Sequence, residues 1–156
     1  MSYSSEYKLT RRRVVITGLG IVSPVGNSVE EAWQNILAGR SGIGQITRFD
    51  ASSFPVRIAG EVRDFDIGQY LSPKEARRMD VFIHYGMAAG LQAIGGAGLD
   101  VQPGDPERIG VSIGSGIGGL PMIESTCDDF TAGGVRKVSP FFVPGSTPNM
   151  IASTEP

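Results

Sequence analysis

Apolar residues fall into two kinds of pattern along the chain, one typical of strands and one typical of helices. Residues 14–17 (VVIT) form a β-branched run, which favours a buried strand. Residues 109–113 place an isoleucine or valine at every second position with small residues between, which also indicates a buried strand, and residues 57–62 alternate like a strand with one solvent-facing side. Strands interleaved with helical segments predict an α/β fold.

The first helix is marked at both ends. Ser28 and Glu31 stand at the N-cap and N3 positions of a capping box, which satisfies backbone amides at the start of a helix. Gly39 follows at the place of a left-handed C-cap. The helix between them carries one apolar stripe, formed by Val29, Trp33, Ile36 and Leu37. We therefore expect Trp33 to lie in the core.

A longer helical pattern begins with a second capping box. Residues 72–75 (SPKE) combine that box with proline at the first helical position, where its missing N–H costs nothing. The helix is predicted to run from residue 74 to about residue 97, with a break near residues 79–80. Gly86 and Gly90 lie on its apolar stripe, so that another element can approach this helix closely.

The last third of the chain predicts further short helices. One begins at about Pro121 and is ended by the glycines at 133–134. Residues 139–146 place two prolines around an apolar, aromatic segment that is too short to be a helix, and we expect this segment to be buried. A final helix is predicted through residues 149–151.

Composition narrows the class of protein. The chain has 156 residues, a net charge of −2, 22 glycines and one cysteine. Bulk charge gives no reason to expect nucleic-acid binding, and no apolar run approaches the length of a membrane span. An intrachain disulfide is impossible, which fits a reducing compartment, and residues 1–10 predict a disordered lead without the apolar segment of a secretory signal. These features favour a cytoplasmic location.

The glycine-rich segment after residue 113 allows two interpretations. Gly114, Gly116 and Gly119 fit the spacing of a dinucleotide-binding turn between a strand and a helix. Such a turn is expected near the start of its domain, however, and Pro121 disturbs the amide-lined helix N-terminus that a pyrophosphate needs. A tight turn where two backbones pack closely is the favoured alternative.

The single histidine and the single cysteine do not form a recognisable catalytic pair. His84 lies inside the long helix without a candidate ligand or nucleophile beside it, which favours a structural role. Cys127 is followed by Asp128 and Asp129, whose negative charges disfavour a role as nucleophile.

A basic cluster stands near the start of the long helix. Lys74, Arg77 and Arg78 are spaced so that they share one exposed face. The cluster is either a solvated surface or a docking site for an acidic partner.

Several motifs in one order resemble the β-ketoacyl-acyl carrier protein synthases. Residues 12–20 (RRVVITGLG) and residues 23–26 (SPVG) resemble the opening of these enzymes, and residues 37–43 (LAGRSGI) are similar to the part that follows it there. Three later motifs are similar to the elongating, type II synthases: KEARRMD at 74–80, IGSGIGG at 113–119 and SPFFVP at 139–144. The resemblance covers about residues 11–146. Beyond it, Thr147-Pro148 stands where the family usually has an apolar pair.

The resemblance implies a fold and a reaction. The fold is thiolase-like, a layered αβαβα arrangement of two related halves that are each built on a five-stranded sheet. Residues 11–156 would form the N-terminal half, with one mixed five-stranded sheet. The enzymes are homodimers that catalyse decarboxylative condensation of malonyl-acyl carrier protein with an acyl-enzyme. A cysteine carries the acyl chain, and two histidines with a backbone oxyanion hole stabilise the intermediates. No cofactor is implied, because substrates arrive on the phosphopantetheine arm of acyl carrier protein.

Only some positions of that machinery carry over to this sequence. Ile117 resembles the residue that limits chain length at the floor of the acyl pocket, and Phe142 resembles the aromatic that reaches across the dimer. A basic patch for docking acyl carrier protein is implied for Lys74, Arg77, Arg78, Arg136 and Lys137. Cys127 and His84 do not fall on the catalytic motifs, so no catalytic residue and no metal ligand is assigned. We expect this polypeptide to be inactive alone, with a non-catalytic carrier-protein or partner-binding module as the alternative.

Overall fold

The structure is a computed structural model, and it describes residues 13–99 and 106–153. The predicted lead at 1–10 lies outside these residues. The described helices are α1 (Val29–Leu37), α2 (Pro73–Ala76), α3 (Val81–Ala97), α4 (Leu120–Gly133), α5 (Phe142–Ser146) and α6 (Asn149–Ser153), with strands β1 (Ile43–Gln45) and β2 (Ile58–Gly60). Short 3₁₀ turns occupy Ile67–Gln69, Pro106–Arg108 and Val135–Lys137.

The predicted ends of α1 are confirmed, with one change in the capping box. The Ser28 hydroxyl accepts a hydrogen bond from the Glu31 amide at 3.2 Å, as expected. The Glu31 carboxylate, however, accepts from the amide of Asn27 at 2.7 Å, one residue before the N-cap. Gly39 follows the helix with a left-handed φ of 67°.

The break in the long helical pattern is also confirmed. The box at Ser72 and Glu75 starts α2, which ends after four residues. Asp80 then serves as the N-cap of α3, which runs for 17 residues to a left-handed Gly98. The chain therefore has a short basic helix and a long apolar one, joined at residues 77–80.

The described sheet is smaller than the resemblance implies. Strands β1 and β2 pair antiparallel, with Ile43 opposite Gly60 and Gln45 opposite Ile58. The strand predicted at 57–62 is thus present in its middle, whereas β1 lies where the sequence predicts no strand. Among the described residues these two strands are the only ones, instead of a mixed five-stranded sheet.

The prediction of buried strands at residues 14–17 and 109–113 is wrong. Residues 14–17 and 109–113 are assigned to no strand. The side chains of Val14 and Ile16 are 90% and 80% exposed. A β-branched run becomes a buried strand only when other strands pair with it and other elements cover its faces, and the described residues supply neither.

The apolar stripe of α1 is likewise on the surface. Trp33, predicted to lie in the core, is 54% exposed, and its neighbours on the stripe are exposed as well. Helical periodicity identifies the apolar side of a helix correctly, but it does not provide the element that covers that side. Of the residues in α1, only Ala32 is buried.

The core lies around the middle of α3. Ile83 and Met87 pack with Ile151 of α6, and partly buried apolar side chains surround them: Leu71, Met79, Phe82, Ile113 and Met150. Gly86 faces Ile151 so closely that an added Cβ would lie 2.9 Å from its Cδ1 atom. The small residues predicted on the apolar stripe of α3 thus permit the close approach of a later helix.

The C-terminal helices follow the prediction with one correction. α4 begins one residue before Pro121 and ends at Gly133, before Gly134 with a φ of 71°. The segment at 139–146, predicted to be too short for a helix, contains the five-residue helix α5. Its predicted burial is also wrong, because Phe141 and Val143 are 40% and 64% exposed. The Ser139 carbonyl accepts from the Phe142 amide, which closes the turn that leads into α5. The predicted final helix is present as α6.

Candidate functional site

The junction between α2 and α3 holds several elements together through Asp80. This residue is 5% exposed. One carboxylate oxygen accepts from the Met122 amide in the first turn of α4 at 2.8 Å, and the other lies 3.4 Å from the Phe82 amide in the first turn of α3. Its own amide donates to the Gly145 carbonyl of α5 at 2.9 Å. The negative charge sits at two helix N-termini, where helix dipoles favour an anion.

The basic cluster predicted near the start of the long helix lies beside this junction, with Lys74 on α2 and Arg77 and Arg78 directly after it; we call it the α2 cluster. Lys74, Arg77 and Arg78 are all exposed, as the sequence predicts. The Arg77 Nε donates back to the Pro73 carbonyl at 3.0 Å, so part of its guanidinium is bound to its own helix. The Arg78 guanidinium carbon lies 4.3 Å from the centroid of the Phe141 ring, a cation–π distance. Arg78 therefore joins α2 to the segment that precedes α5.

Arg136 and Lys137 lie in the 3₁₀ turn after α4, and both are exposed. Lys137 precedes Phe141 by four residues, which span at most about 14 Å of chain. This second basic pair is therefore in the region of the ring over which Arg78 stacks. The contact between Arg78 and Phe141 links the α2 cluster to this part of the chain.

Ile117 lies on the glycine-rich loop before α4 and is 77% exposed. The loop is held on two sides. A Cβ at Gly118 would lie 2.6 Å from the ring of Phe82, and one at Gly119, whose φ is 76°, would lie 2.7 Å from the Ser146 carbonyl oxygen. A larger residue cannot fit at either position without displacing α3 or α5, so the close packing fixes where the loop presents Ile117.

Phe142, the other residue predicted for the acyl pocket, is the first residue of α5 and is partly buried. Four cavities of the described chain are lined by other residues than Phe142 and Ile117. The structure places Ile117 three residues before the start of α4 and Phe142 at the start of α5, and the loop that carries Ile117 packs against α5 through Gly119. An acyl pocket formed by them stays a prediction.

His84 has the surroundings of a structural residue. The His84 Nε2 lies 2.9 Å from the Ala76 carbonyl oxygen, which can only accept, so this nitrogen carries the proton. The contact ties α3 to the last residue of α2. Cys127 is exposed on α4.

Glu61 is a buried carboxylate that sequence reasoning did not single out. Hydrogen bonds from the Thr47 amide at 3.0 Å and the Thr47 hydroxyl at 2.8 Å lower the pKa of Glu61, and the Arg48 amide at 3.3 Å assists. Glu61 borders an open cavity of about 680 Å³ between the hairpin and helices α3 and α4. In the sequence, Glu61 is one residue of an alternating strand pattern, and that pattern does not predict a buried carboxylate that binds residues 47 and 48.

Asp80 and Phe141 were also missed as site residues. Asp80 follows the break in the helical pattern, a place where an N-cap is expected, but a cap does not predict a bond to a second helix 42 residues away. Phe141 resembles any aromatic residue of a short apolar segment, and the stacking of Arg78 on it depends on tertiary packing alone.

Two arrangements are absent from residues 13–99 and 106–153. No group of three or more histidine, cysteine, aspartate or glutamate side chains is arranged there to hold a metal ion. None of the helices in these ranges has the length and apolar character that crossing a bilayer requires.

Relatives of known name match almost the whole chain. A 3-oxoacyl-[acyl-carrier-protein] synthase 2 from Vibrio harveyi is 53% identical over 144 residues, which are 92% of this chain and 35% of that protein. The synthases of the same name from Vibrio cholerae and Coxiella burnetii are 55% and 54% identical and are covered to 35% and 34%. The chain therefore spans about a third of the length of the curated relatives that it matches.

Solved structures show the same fold. A ketosynthase in the AntDE:AntF complex, a type II PKS acyl-carrier protein with its ketosynthase bound to the hexaketide, superposes with a TM-score of 0.73 at 27% identity, covering 92% of this chain and 37% of that one. The ishigamide ketosynthase/chain length factor gives a TM-score of 0.69 at 32% identity, covering 85% and 33%. These thiolase-like neighbours agree with an N-terminal half of that fold.

The family model for the N-terminal domain of the β-ketoacyl synthases matches residues 11–154, slightly beyond the stretch in which the motifs were recognised. The motif order, the identities and the fold agree with one another. The chain belongs to the β-ketoacyl synthase family, whose N-terminal domain it matches over nearly its full length.

Proposed function

We propose that this chain forms the N-terminal part of a 3-oxoacyl-[acyl-carrier-protein] synthase that elongates fatty acids in the cytoplasm. The observation that carries the proposal is the identity of 53–55% with proteins of that name over 92% of the chain. In the reaction, the malonyl group loses carbon dioxide, and the resulting carbanion attacks the thioester of an acyl-enzyme. The glycine-rich loop then belongs to the acyl-binding region of a ketosynthase, which leaves the dinucleotide alternative without support.

The 156-residue polypeptide does not catalyse this reaction alone. Its one cysteine is exposed on α4 beside Asp128 and Asp129, and its one histidine binds the Ala76 carbonyl. Neither group is paired as the nucleophile and base of an acyl transfer must be. The nucleophile and both catalytic histidines have no counterpart among residues 1–156.

The contribution of this part to the enzyme is recognition. The cations of the α2 cluster and of the turn after α4 (Lys74, Arg77, Arg78, Arg136 and Lys137) attract acyl carrier protein, an acidic partner. Electrostatic complementarity of this kind raises the association rate and selects the partner. Ile117 limits the acyl chain, and Phe142 reaches across a homodimer to the acyl pocket of the other subunit. No cofactor takes part.

A chimera tests the catalytic proposal. Residues 11–146 of this chain replace the corresponding part of the Vibrio cholerae synthase, and condensation with malonyl-acyl carrier protein is measured. We expect the chimera to turn over and the 156-residue chain to show no turnover. A folded chimera without activity, or robust turnover by the chain alone, would contradict the proposal.

A second candidate, a carrier-protein-binding module without catalysis, is favoured by the exposure of the α2 cations. Titration of acyl carrier protein against the chain and its Lys74→Glu and Arg78→Glu variants tests it. Charge reversal should weaken binding, and the effect should shrink as salt is added. Arg40→Glu, which reverses an exposed charge after α1, is the control. Equal binding by all the variants would remove the basis for this candidate.

A further inference from the structure

We propose that Phe141 is a positioning residue that holds the Arg78 guanidinium ready for a carboxylate of acyl carrier protein. The inference rests on the proposed function, because it concerns the same docking surface. It assigns a role to an aromatic side chain that carries no charge and that neither the basic cluster nor the acyl pocket includes.

The geometry of the pair is that of a preformed contact on the surface. The Arg78 guanidinium carbon lies 4.3 Å from the centre of the Phe141 ring. Both side chains are exposed, so that a partner can reach the guanidinium while it stays over the ring. The flat face of a guanidinium stacks on an aromatic ring and leaves its N–H edge directed outwards, where a carboxylate can accept two hydrogen bonds.

The backbone fixes the two residues relative to each other. The Asp80 amide, two residues after Arg78, donates to the Gly145 carbonyl at 2.9 Å. Gly145 also packs directly on the Arg78 carbonyl oxygen, where a Cβ would overlap. The Gly145 amide in turn donates to the Phe141 carbonyl at 2.8 Å. These backbone contacts hold Phe141 next to Arg78.

The contact with the Phe141 ring distinguishes Arg78 from the other two cations of the α2 cluster. Arg77 uses its Nε on the Pro73 carbonyl, and no ring contact is described for Lys74 in the structured ranges. A long side chain normally loses rotamer freedom when it binds a partner, and an arginine already held on a ring loses less. Arg78 should therefore contribute more to binding than its charge alone explains, and this excess should depend on Phe141.

A double-mutant cycle on the full 156-residue chain tests the proposal. The affinity for acyl carrier protein is measured for the unsubstituted chain, Phe141→Leu, Arg78→Lys and the double variant. Phe141→Leu removes the π face at unchanged charge, and Arg78→Lys removes the planar group. We expect each single substitution to weaken binding by about two- to fivefold, the size of an exposed cation–π contact, and the double variant to bind about as the weaker single one.

Two further variants separate the contact from a general effect on the fold. Phe141→Trp keeps an aromatic face and should bind at least as tightly as the unsubstituted chain, since tryptophan is the best cation–π partner. Phe130→Leu removes an exposed aromatic ring from α4 and should leave the affinity unchanged. Circular dichroism of each variant checks that the helices are retained.

Several results would overturn the proposal. Unchanged or tighter binding by Phe141→Leu, additive effects in the cycle, or weaker binding by Phe141→Trp would each show that the ring does not position Arg78. These outcomes leave the proposed function intact. If the unsubstituted chain does not bind acyl carrier protein, the docking role fails and this inference fails with it.

Discussion

Gln92 shows how a single side chain can organise segments that have little regular structure. Its amide oxygen accepts from the Ile21 amide at 3.1 Å. Its amide nitrogen donates to the Asn27 carbonyl at 2.8 Å and to the Tyr70 hydroxyl at 2.9 Å. Residues distant in sequence are thereby fixed to α3 without a sheet. This side chain uses both ends of its amide, so the loss of either end leaves partly buried groups unpaired.

We predict that Gln92→Leu destabilises the chain by about 1–3 kcal/mol, the cost of leaving buried polar groups without partners. The measurement is urea unfolding followed by circular dichroism. Gln34→Leu is the control, because the Gln34 side-chain amide donates to the exposed Glu30 carboxylate of the same helix. Its effect should stay within about 0.5 kcal/mol. Equal losses for the two variants would show that the Gln92 bonds do not hold the segments together.

The carboxylate of Glu61 makes the stability of the hairpin depend on pH. The backbone and hydroxyl hydrogen bonds from Thr47 lower its pKa from the ordinary value of 4.5, against the opposing effect of burial. A group whose pKa is lower in the folded state stabilises the fold above its unfolded pKa. That contribution disappears as the pH falls through the folded pKa. We therefore predict that Glu61→Gln is less stable than the unsubstituted chain at neutral pH.

The difference in stability between Glu61→Gln and the unsubstituted chain should shrink as the pH falls below about 4.5, the unfolded pKa of the glutamate. Unfolding by urea at a series of pH values measures it. Glu124→Gln, on an exposed position of α4, provides the control and should not reproduce the convergence. A stability difference independent of pH would mean that Glu61 acts through packing and not through its charge.

Helix ends were predictable because their signals are local. The caps at Ser28 and Ser72 and the break before Asp80 depend on a few neighbouring residues, and all three are present. Strands were not predictable in the same way, since a strand is defined by its partner. The run at 14–17 has the composition of a buried strand yet lies exposed and unpaired among the described residues.

The contact of residues 18–20 with α3 depends on glycine. A Cβ at Gly20 would overlap the Ala89 carbonyl. We predict that Gly20→Ala destabilises the chain by about 1–3 kcal/mol, as overpacking does. A Cβ at Gly95, in α3, would have no heavy atom from outside its own stretch of helix within 4 Å. Gly95→Ala should therefore stabilise by about 0.5–1 kcal/mol.

Thermal unfolding of the two alanine variants measures this contrast. The sign of the effect carries the test, because both substitutions add the same methyl group. If Gly20→Ala were neutral or stabilising, the segment at 18–20 would not pack on α3 in solution. A loss for Gly95→Ala equal to that for Gly20→Ala would point to a general intolerance of α3 and its neighbours.

The candidate site was predictable where it resembles a family and not where it depends on packing. Lys74, Arg77 and Arg78 are exposed, as their spacing on one helix face predicts. That Arg78 stacks on Phe141, and that Asp80 joins three helices, depends on contacts between residues 42 to 65 positions apart. No local pattern contains such contacts, since they are decided by the tertiary arrangement.

At the scale of the whole molecule, the described residues expose more apolar surface than a stable monomer usually does. Val14, Ile16 and the α1 stripe with Trp33 lie open, and apolar side chains line a groove between residues 19–21 and α1. Large apolar patches mark interaction surfaces or cause aggregation, and an unpaired β-branched segment can pair with another chain. We predict that the 156-residue polypeptide associates with itself in a concentration-dependent manner.

Sedimentation velocity over a range of concentrations measures this association. A double variant, Val14→Lys with Ile16→Lys, places charges on the extended segment and should shift the population towards monomer. Val135→Lys, at an exposed apolar position in the turn after α4, is the matched control and should leave association unchanged. If the unsubstituted chain sediments as a monomer at every concentration, the exposed apolar surface does not cause self-association. If Val135→Lys dissociates the assembly as effectively as the double variant, the contact lies elsewhere than on the segment at 14–17.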